Sequence, residues 1–234
     1  WRDSTWDSDA GPEAVYFKNL RTNSPIYNAS LEGAERPRNA AIYGDFLVWR
    51  EGKCERNGGD GTTLHAYNVR TRTYLGEISD GKNVSSKIIV HSDIVAWASG
   101  RDGDDGEDYA IFYKNLRTNS PVYRASSGEL EACGNFAMYG DIIAWRDRDD
   151  YNLYGYNTRT RTEFRINSED RDSCNPSIYC GYVVWVDRED RDPSDYSGRY
   201  LRLATLNVVC RQEPKQLPMT QILKILSINE LMRE

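Results

Sequence analysis

Ala137-Met-Tyr-Gly-Asp-Ile-Ile-Ala-Trp145 has three relatives in the same chain: Ala41-Ile-Tyr-Gly-Asp-Phe-Leu-Val-Trp49, Ile89-Val-His-Ser-Asp-Ile-Val-Ala-Trp97 and Ser177-Ile-Tyr-Cys-Gly-Tyr-Val-Val-Trp185. Trp49, Trp97 and Trp145 are spaced 48 residues apart, Trp1 stands the same distance before Trp49, and Trp185 follows after a shorter step of 40. One supersecondary unit is therefore copied along the chain. In its second copy the pattern predicts strand a at 40–43, strand b at 46–50, strand c at 64–69 and strand d at 74–79, with Gly44-Asp45 as a two-residue hairpin. Short strands recurring with a period in the forties point to propeller blades. The expected fold is all-β: a five-bladed β-propeller of four-stranded antiparallel blades over residues 1–218. The blades fall at about 1–35, 36–82, 83–131, 132–172 and 173–218.

The turn between strands c and d repeats as well. Asn19-Leu-Arg-Thr-Asn23, Asn68-Val-Arg-Thr-Arg72, Asn115-Leu-Arg-Thr-Asn119 and Asn157-Thr-Arg-Thr-Arg161 each lead with an Asn able to close an Asx-turn. Asn23 and Asn119 tolerate the left-handed backbone expected at the turn's end, whereas Arg72 and Arg161 suit it less, so those two turns are expected to differ. Lys18–Pro25 is identical to Lys114–Pro121, and the second and fourth copies share Tyr-Asn-x-Arg-Thr-Arg-Thr. The blades alternate in kind, as after duplication of a two-blade unit.

The pattern Tyr-Gly-Asp-x-x-x-Trp, a variable acidic loop and then a Tyr-Asn-x-x-Thr turn resembles the TolB-like β-propeller repeats of archaeal and bacterial cell-surface proteins, over about residues 1–210. That family usually has Asp at the head of the c–d turn and Gly at its end, where this chain has Asn and then Asn or Arg. The resemblance implies an extracytoplasmic location and a non-enzymatic role in surface structure, adhesion or assembly.

Strand a is expected four times and strands c and d five times, because the first copy enters at strand b with Trp1. The apolar stretch Ile222–Ile228 lies in a C-terminal segment, 219–234, that fits a helix and a ring-closing strand about equally well.

Composition narrows the function classes. The 234 residues include sixteen Tyr and six Trp, which suit half-buried pleated surfaces. A net charge of −6 weighs against nonspecific nucleic-acid binding, and no nucleic-acid motif is present. No apolar run approaches the ~20 residues of a membrane span. The chain starts at Trp1 without a leading Met or a recognisable signal peptide, which points to processing or to a piece of a longer sequence.

Several side chains are candidates for chemistry. The b–c loops are acidic and the c–d turns basic, so a disc acidic on one face and basic on the other is expected, able to dock head to tail on copies of itself or on another surface protein. Within the acidic loops, Asp102, Asp104 and Asp108, and Asp190, Asp192 and Asp195, are candidate Ca²⁺ ligands, without EF-hand spacing. Asn39, Lys87, Asn135 and Asn175 precede the innermost strands and form a candidate polar ring for a glycan, and Trp6 is a candidate exposed contact. His91 stands where Tyr43 and Tyr139 stand in other copies, so a packing role is expected. Disulfides Cys133–Cys174 and Cys180–Cys210 are possible, with Cys54 left over, and Asn28 and Asn83 lie in glycosylation sequons. Strand a carries no carboxylate, and neither a nucleophile elbow nor a histidine triad is visible. The expected function is a non-enzymatic extracellular binding or assembly module. A carbohydrate-binding, lectin-like propeller is the alternative, and a glycosidase the third reading.

Overall fold

The computed structural model describes residues 14–31, 34, 37–52, 62–79, 84–100, 109–130, 136–167, 172–188 and 199–206. Every regular element among them is a β-strand. A two-stranded pair, β1 (Tyr16–Phe17) and β2 (Tyr27–Asn28), comes first. Three four-stranded antiparallel sheets follow. The first holds β3 (Arg38–Tyr43), β4 (Phe46–Glu51), β5 (Thr63–Asn68) and β6 (Thr73–Glu77). The next holds β7 (Val84–His91), β8 (Ile94–Gly100), β9 (Tyr109–Asn115) and β10 (Tyr123–Arg124), and the third holds β11 (Phe136–Tyr139), β12 (Ile142–Arg146), β13 (Leu153–Asn157) and β14 (Thr162–Arg165). The last sheet shows β15 (Asp172–Tyr179), β16 (Tyr182–Arg188) and β17 (Arg199–Thr205). Each sheet is a meander in chain order, and the first strands β3, β7, β11 and β15 pack on one another in sequence. The arc they form is not closed among the described residues. The segment 219–234 lies outside them.

Strands β4, β8 and β12 are buried on both sides, because one face meets the preceding sheet and the other meets the following one. Leu47 and Trp49 pack with Val15 and Ala29 of the first pair. Phe46 and Val48 pack instead with Val95 and Trp97 of the next sheet. The alternation continues with Ala96 and Ala98 against Ile143 and Trp145, and with Ile142 against Val183 and Trp185. Trp49, Trp97 and Trp145 are buried to 1% exposure or less, where removing so large an aromatic costs about 3–5 kcal/mol.

The c–d turns confirm their leading residue. Asn68 Oδ1 accepts the backbone N–H of Arg70 and Thr71, and Asn19 and Asn157 cap their turns in the same way. The expected difference between Asn- and Arg-ended turns is not found: φ is 47° at Asn23, 48° at Asn119, 56° at Arg72 and 58° at Arg161. A contact from the preceding sheet offsets the strain at the arginines. The Arg72 guanidinium lies 4.1 Å over the Tyr27 ring and donates to its hydroxyl at 2.7 Å. Arg161 repeats this on Tyr123 at 4.2 Å and 2.9 Å. These clasps join the first unit to the second and the third to the fourth, matching the alternation in the sequence.

Gly155 lies opposite Phe164 in the β13–β14 pair, and a Cβ there would sit 2.5 Å from the Phe164 ring. Gly155→Ala is expected to lose about 1–3 kcal/mol in chemical denaturation. Gly100→Ala, where the nearest atom would be 3.5 Å away, is the control, expected within about 1 kcal/mol of wild type.

Candidate functional site

The a–b and c–d turns meet at one rim of each of the four sheets that follow the β1–β2 pair. The same backbone bond ties them four times: Val69 N–H to Asp45 O, Leu116 to Asp93 and Thr158 to Asp141, all at 2.8 Å, and Leu206 to Gly181 at 2.6 Å. The basic c–d turns are thus set beside the a–b aspartates, and part of the expected positive charge is neutralised. Arg117 donates to both oxygens of Asp93 at 2.7 and 2.8 Å, and Arg70 stands 3.5 Å from Asp45. In the sequence Asp45 reads as a hairpin residue, and the offset of about two dozen residues that Asp45–Arg70 and Asp93–Arg117 share is the signal for both pairings. Arg72 and Arg161 are engaged with tyrosines, while Arg21 and Arg159 remain exposed on this rim.

At the inner end of the same rim the last residue of each first strand contributes one ring to a continuous ladder. Tyr43 meets His91 at 4.5 Å between centroids, His91 meets Tyr139 at 4.3 Å, and Tyr139 meets Tyr179 at 4.9 Å. His91 therefore packs, as its place in the repeat suggests. Its Nδ1 accepts the Gly140 N–H at 3.0 Å, so the proton of the neutral ring sits on Nε2. Burial pushes the imidazole below the ordinary histidine range, against the attraction of Asp141. Burial likewise raises the Tyr139 phenol, with Tyr179 adding to it.

The polar mouth is partly described. Asn39 and Asn175 are exposed at equivalent bulges of β3 and β15, with φ of 51° and 53°. The left-handed backbone supplies a local reason for Asn at both places. Lys87 occupies the matching point of β7, half-buried, with its Nζ 5.5 Å from the Phe136 ring centre, and burial lowers its ammonium pKa. Asn135 and Trp6 lie outside the described residues.

On the opposite, b–c side the described carboxylates serve their own loops. Asp147 Oδ1 accepts the Asp149 N–H at 2.9 Å, and burial raises its pKa. At Asp150 burial acts upward, but hydrogen bonds from Asn152 and Tyr154 hold the group below the usual carboxylate range. Asp187 accepts from Ser173 Oγ and Trp185 Nε1, both at 2.6 Å, and from Arg202 at 3.1 Å. Glu51 accepts from Trp49 Nε1 at 2.6 Å, and Asp172 pairs with Arg146 at 2.6 Å in a buried contact. No three metal-ligating groups converge among the described residues. The six candidate Ca²⁺ ligands, Asp102, Asp104, Asp108, Asp190, Asp192 and Asp195, lie outside them. Of the cysteines, Cys174 is buried in β15 and Cys180 occupies the turn after it, while Cys54, Cys133 and Cys210 fall outside. Asn28 is exposed on β2, and its Oδ1 accepts both the N–H and the hydroxyl of Ser30; Asn83 is outside.

No family model matches this sequence, and no curated protein matches it significantly. Solved structures do share its fold. Dipeptidyl peptidase 4 of Porphyromonas gingivalis aligns with a TM-score of 0.56 at 12% identity, over 82% of this chain and 35% of that one. Acylaminoacyl peptidase of Pyrococcus horikoshii aligns with a TM-score of 0.50 at 12% identity, over 87% and 35%. A TolB from Agrobacterium tumefaciens aligns with a TM-score of 0.48 at 12% identity, over 82% and 70%. The chain spans about a third of the length of either peptidase. The two peptidases are propeller-type folds, and the likeness extends to fold alone. Among the described residues the protein is all-β, with three successive four-stranded antiparallel sheets and propeller-type structural neighbours.

The ladder has a consequence for pH. His91 is held neutral in the fold, and the unfolded chain takes up a proton near the ordinary value of 6.5, so stability is full above that pH and falls as pH drops through it. The melting temperature is expected to fall between pH 7.5 and pH 5, and His91→Tyr, the residue of the other copies, to reduce that fall. An unchanged pH profile in the variant would contradict the assignment.

Proposed function

We propose that this chain is a non-catalytic, extracellular binding and assembly module, a five-bladed propeller of the TolB-like surface type that associates with copies of itself through opposed basic and acidic rims. The observation that carries the reading is the repeated bond between a–b and c–d turns, which sets the arginines of successive copies on one rim. Pairing with Asp45 and Asp93 lowers that rim's charge and leaves Arg21 and Arg159 to dominate it. The b–c loops at the other end carry Asp149 and, in the sequence, the acidic runs 102–108 and 187–195. A contact between unlike faces of identical discs is heterologous and propagates as a filament or layer.

A fifth interface that closes the ring is part of the proposal. In the last sheet Tyr182, Leu201 and Leu203 are 53%, 58% and 63% exposed, whereas their counterparts in the sheet of β3–β6, Phe46, Leu64 and Ala66, are 4%, 0% and 0% exposed. An apolar sheet face of this kind is elsewhere covered by the next tryptophan-bearing sheet, and the first unit has Trp1 at the repeat position. The non-catalytic reading is supported by the direction of the described carboxylates, which bind loop N–H groups and indoles. The extracellular reading is supported by the exposure of Asn28 in its sequon and by the cysteines, for which we propose a Cys180–Cys210 bridge.

Sedimentation velocity across roughly 50–500 mM salt tests the assembly. Species larger than the monomer are expected at low salt and are expected to disperse at high salt. A monomer at every ionic strength would overturn the proposal. Separately, reduction of the proposed Cys180–Cys210 bridge is expected to lower stability by about 2–4 kcal/mol, read as a drop in melting temperature.

A further inference from the structure

The interface between the second and third units is built like the one between the fourth unit and the last sheet, so the protein contains its own comparison. Each sets the residue after the strand-b tryptophan, Arg50 on β4 or Arg146 on β12, against the first strand of the next unit. Each also packs an indole of the following sheet into the contact, Trp97 or Trp185. Around Arg146 and Trp185 two carboxylates receive these donors. Asp172 accepts from Arg146 Nη2 at 2.6 Å, and Asp187 accepts the Trp185 indole N–H at 2.6 Å. The earlier interface has neither. Ser99 stands two residues after Trp97, where Asp187 stands two after Trp185. Arg50 meets the backbone carbonyl of Val84 at 3.0 Å, at the start of β7, where Arg146 meets a side-chain carboxylate at the start of β15.

The donors are nevertheless kept. Arg50 and Arg146 are equally buried, each 9% exposed. Arg50 spends one N–H on the Val84 carbonyl, which Thr62 Oγ1 also serves at 3.0 Å. A guanidinium carries five N–H donors and a permanent positive charge, so most of its capacity is unused. Arg38 lies directly opposite Arg50 in the β3–β4 register, and its Nε is buried without a hydrogen-bond partner. The indole N–H of the fully buried Trp97 has no partner either. Trp97 packs in one cluster with Leu64 and Val84, so the indole and the Arg50 guanidinium share the surroundings of Val84. Two neighbouring guanidinium groups repel, and a buried charge without a counter-charge is strongly unfavourable. Among the described residues no carboxylate offsets them. Glu51, next to Arg50 in β4, points to the other face of the sheet and accepts from Trp49. The contact of the third and fourth units separates the two signals: Trp145 Nε1 also lacks a partner there, but Ala98 stands in the place of Arg50 and no buried cation accompanies it.

We propose that the interface of the second and third units binds a small free carboxylate, held by Arg50, Arg38 and the Trp97 indole N–H. The ligand supplies there the group that Asp172 and Asp187 supply between the fourth unit and the last sheet. Arg38 is partly exposed and gives the pair its access to solvent, while the burial of Arg50 and Trp97 restricts entry to a small molecule. The test titrates the full chain with sodium acetate at constant ionic strength and follows the indole N–H signals by NMR, that of Trp97 being assigned by its loss in Trp97→Phe. A saturable downfield shift is expected at Trp97. None is expected at Trp145, which lacks the arginine, or at Trp49 and Trp185, which already donate to acids. Arg50→Met is expected to weaken binding about tenfold, the effect of losing a charge-assisted contact. That variant removes an uncompensated buried charge, so it is expected to fold with unchanged strand signals. Ser99→Asp is expected to abolish the acetate response and to hold the Trp97 signal at its bound position without ligand, as Asp187 does for Trp185. Inorganic phosphate is expected to bind more weakly than acetate, and tighter binding of phosphate would overturn the assignment to a carboxylate. Absence of a saturable shift at Trp97, or a shift that Arg50→Met leaves unweakened, would overturn the proposal.

Discussion

A buried indole stands at each contact between consecutive sheets, and the rest of the arrangement depends on it. Each tryptophan on strand b faces the sheet before it, while the residues on either side of it in the strand face the sheet after. Trp97 shares a cluster with Val48 and Leu64, and Trp145 shares one with Ala96 and Ile111. Strands β4, β8 and β12 are consequently buried on both faces, which is why Ile94–Ala98 of β8 reads as an unbroken apolar run rather than an alternating one. Loss of one ring would open a void between two sheets at once, since neither sheet alone has enough apolar surface to close around it.

Polar groups are arranged around that constraint. Trp49 and Trp185 donate their indole N–H to an acid two residues further on, whereas those of Trp97 and Trp145 have no partner. The inner strands bulge where Asn39 and Asn175 adopt left-handed backbone, and the c–d turns of the second and fourth units end in left-handed arginines held by tyrosines of the preceding unit. Strain is therefore located in loops and bulges, and the sheets between them are regular. The arginine–tyrosine clasps fall at alternate interfaces, so the two-unit repeat of the sequence is also a mechanical pairing in the fold.

What depends on short-range pattern was legible in the sequence. The tryptophan spacing, the Gly-Asp hairpins and the Asn-led turns located strands b, c and d of the second unit within about two residues. What depends on contacts between units was not legible. Arg72 and Arg161 look unsuited to left-handed backbone until the tyrosine of a different unit is placed over them. Asp93 reads as a turn residue until the fold brings Arg117 to it. Tyr43, His91, Tyr139 and Tyr179 are visible as a column in the aligned repeats, but their contact as one ladder requires the inner strands to pack in order.

Each strand-b tryptophan stabilises the protein through the sheet before it. A double-mutant cycle between Val48→Ala and Trp97→Phe, measured by chemical denaturation, tests it most directly, with Val48→Ala and Trp185→Phe as the distant pair. The account predicts a coupling of roughly 0.5–3 kcal/mol for the first pair and additivity within about 0.5 kcal/mol for the second. Additivity of Val48→Ala and Trp97→Phe would contradict it.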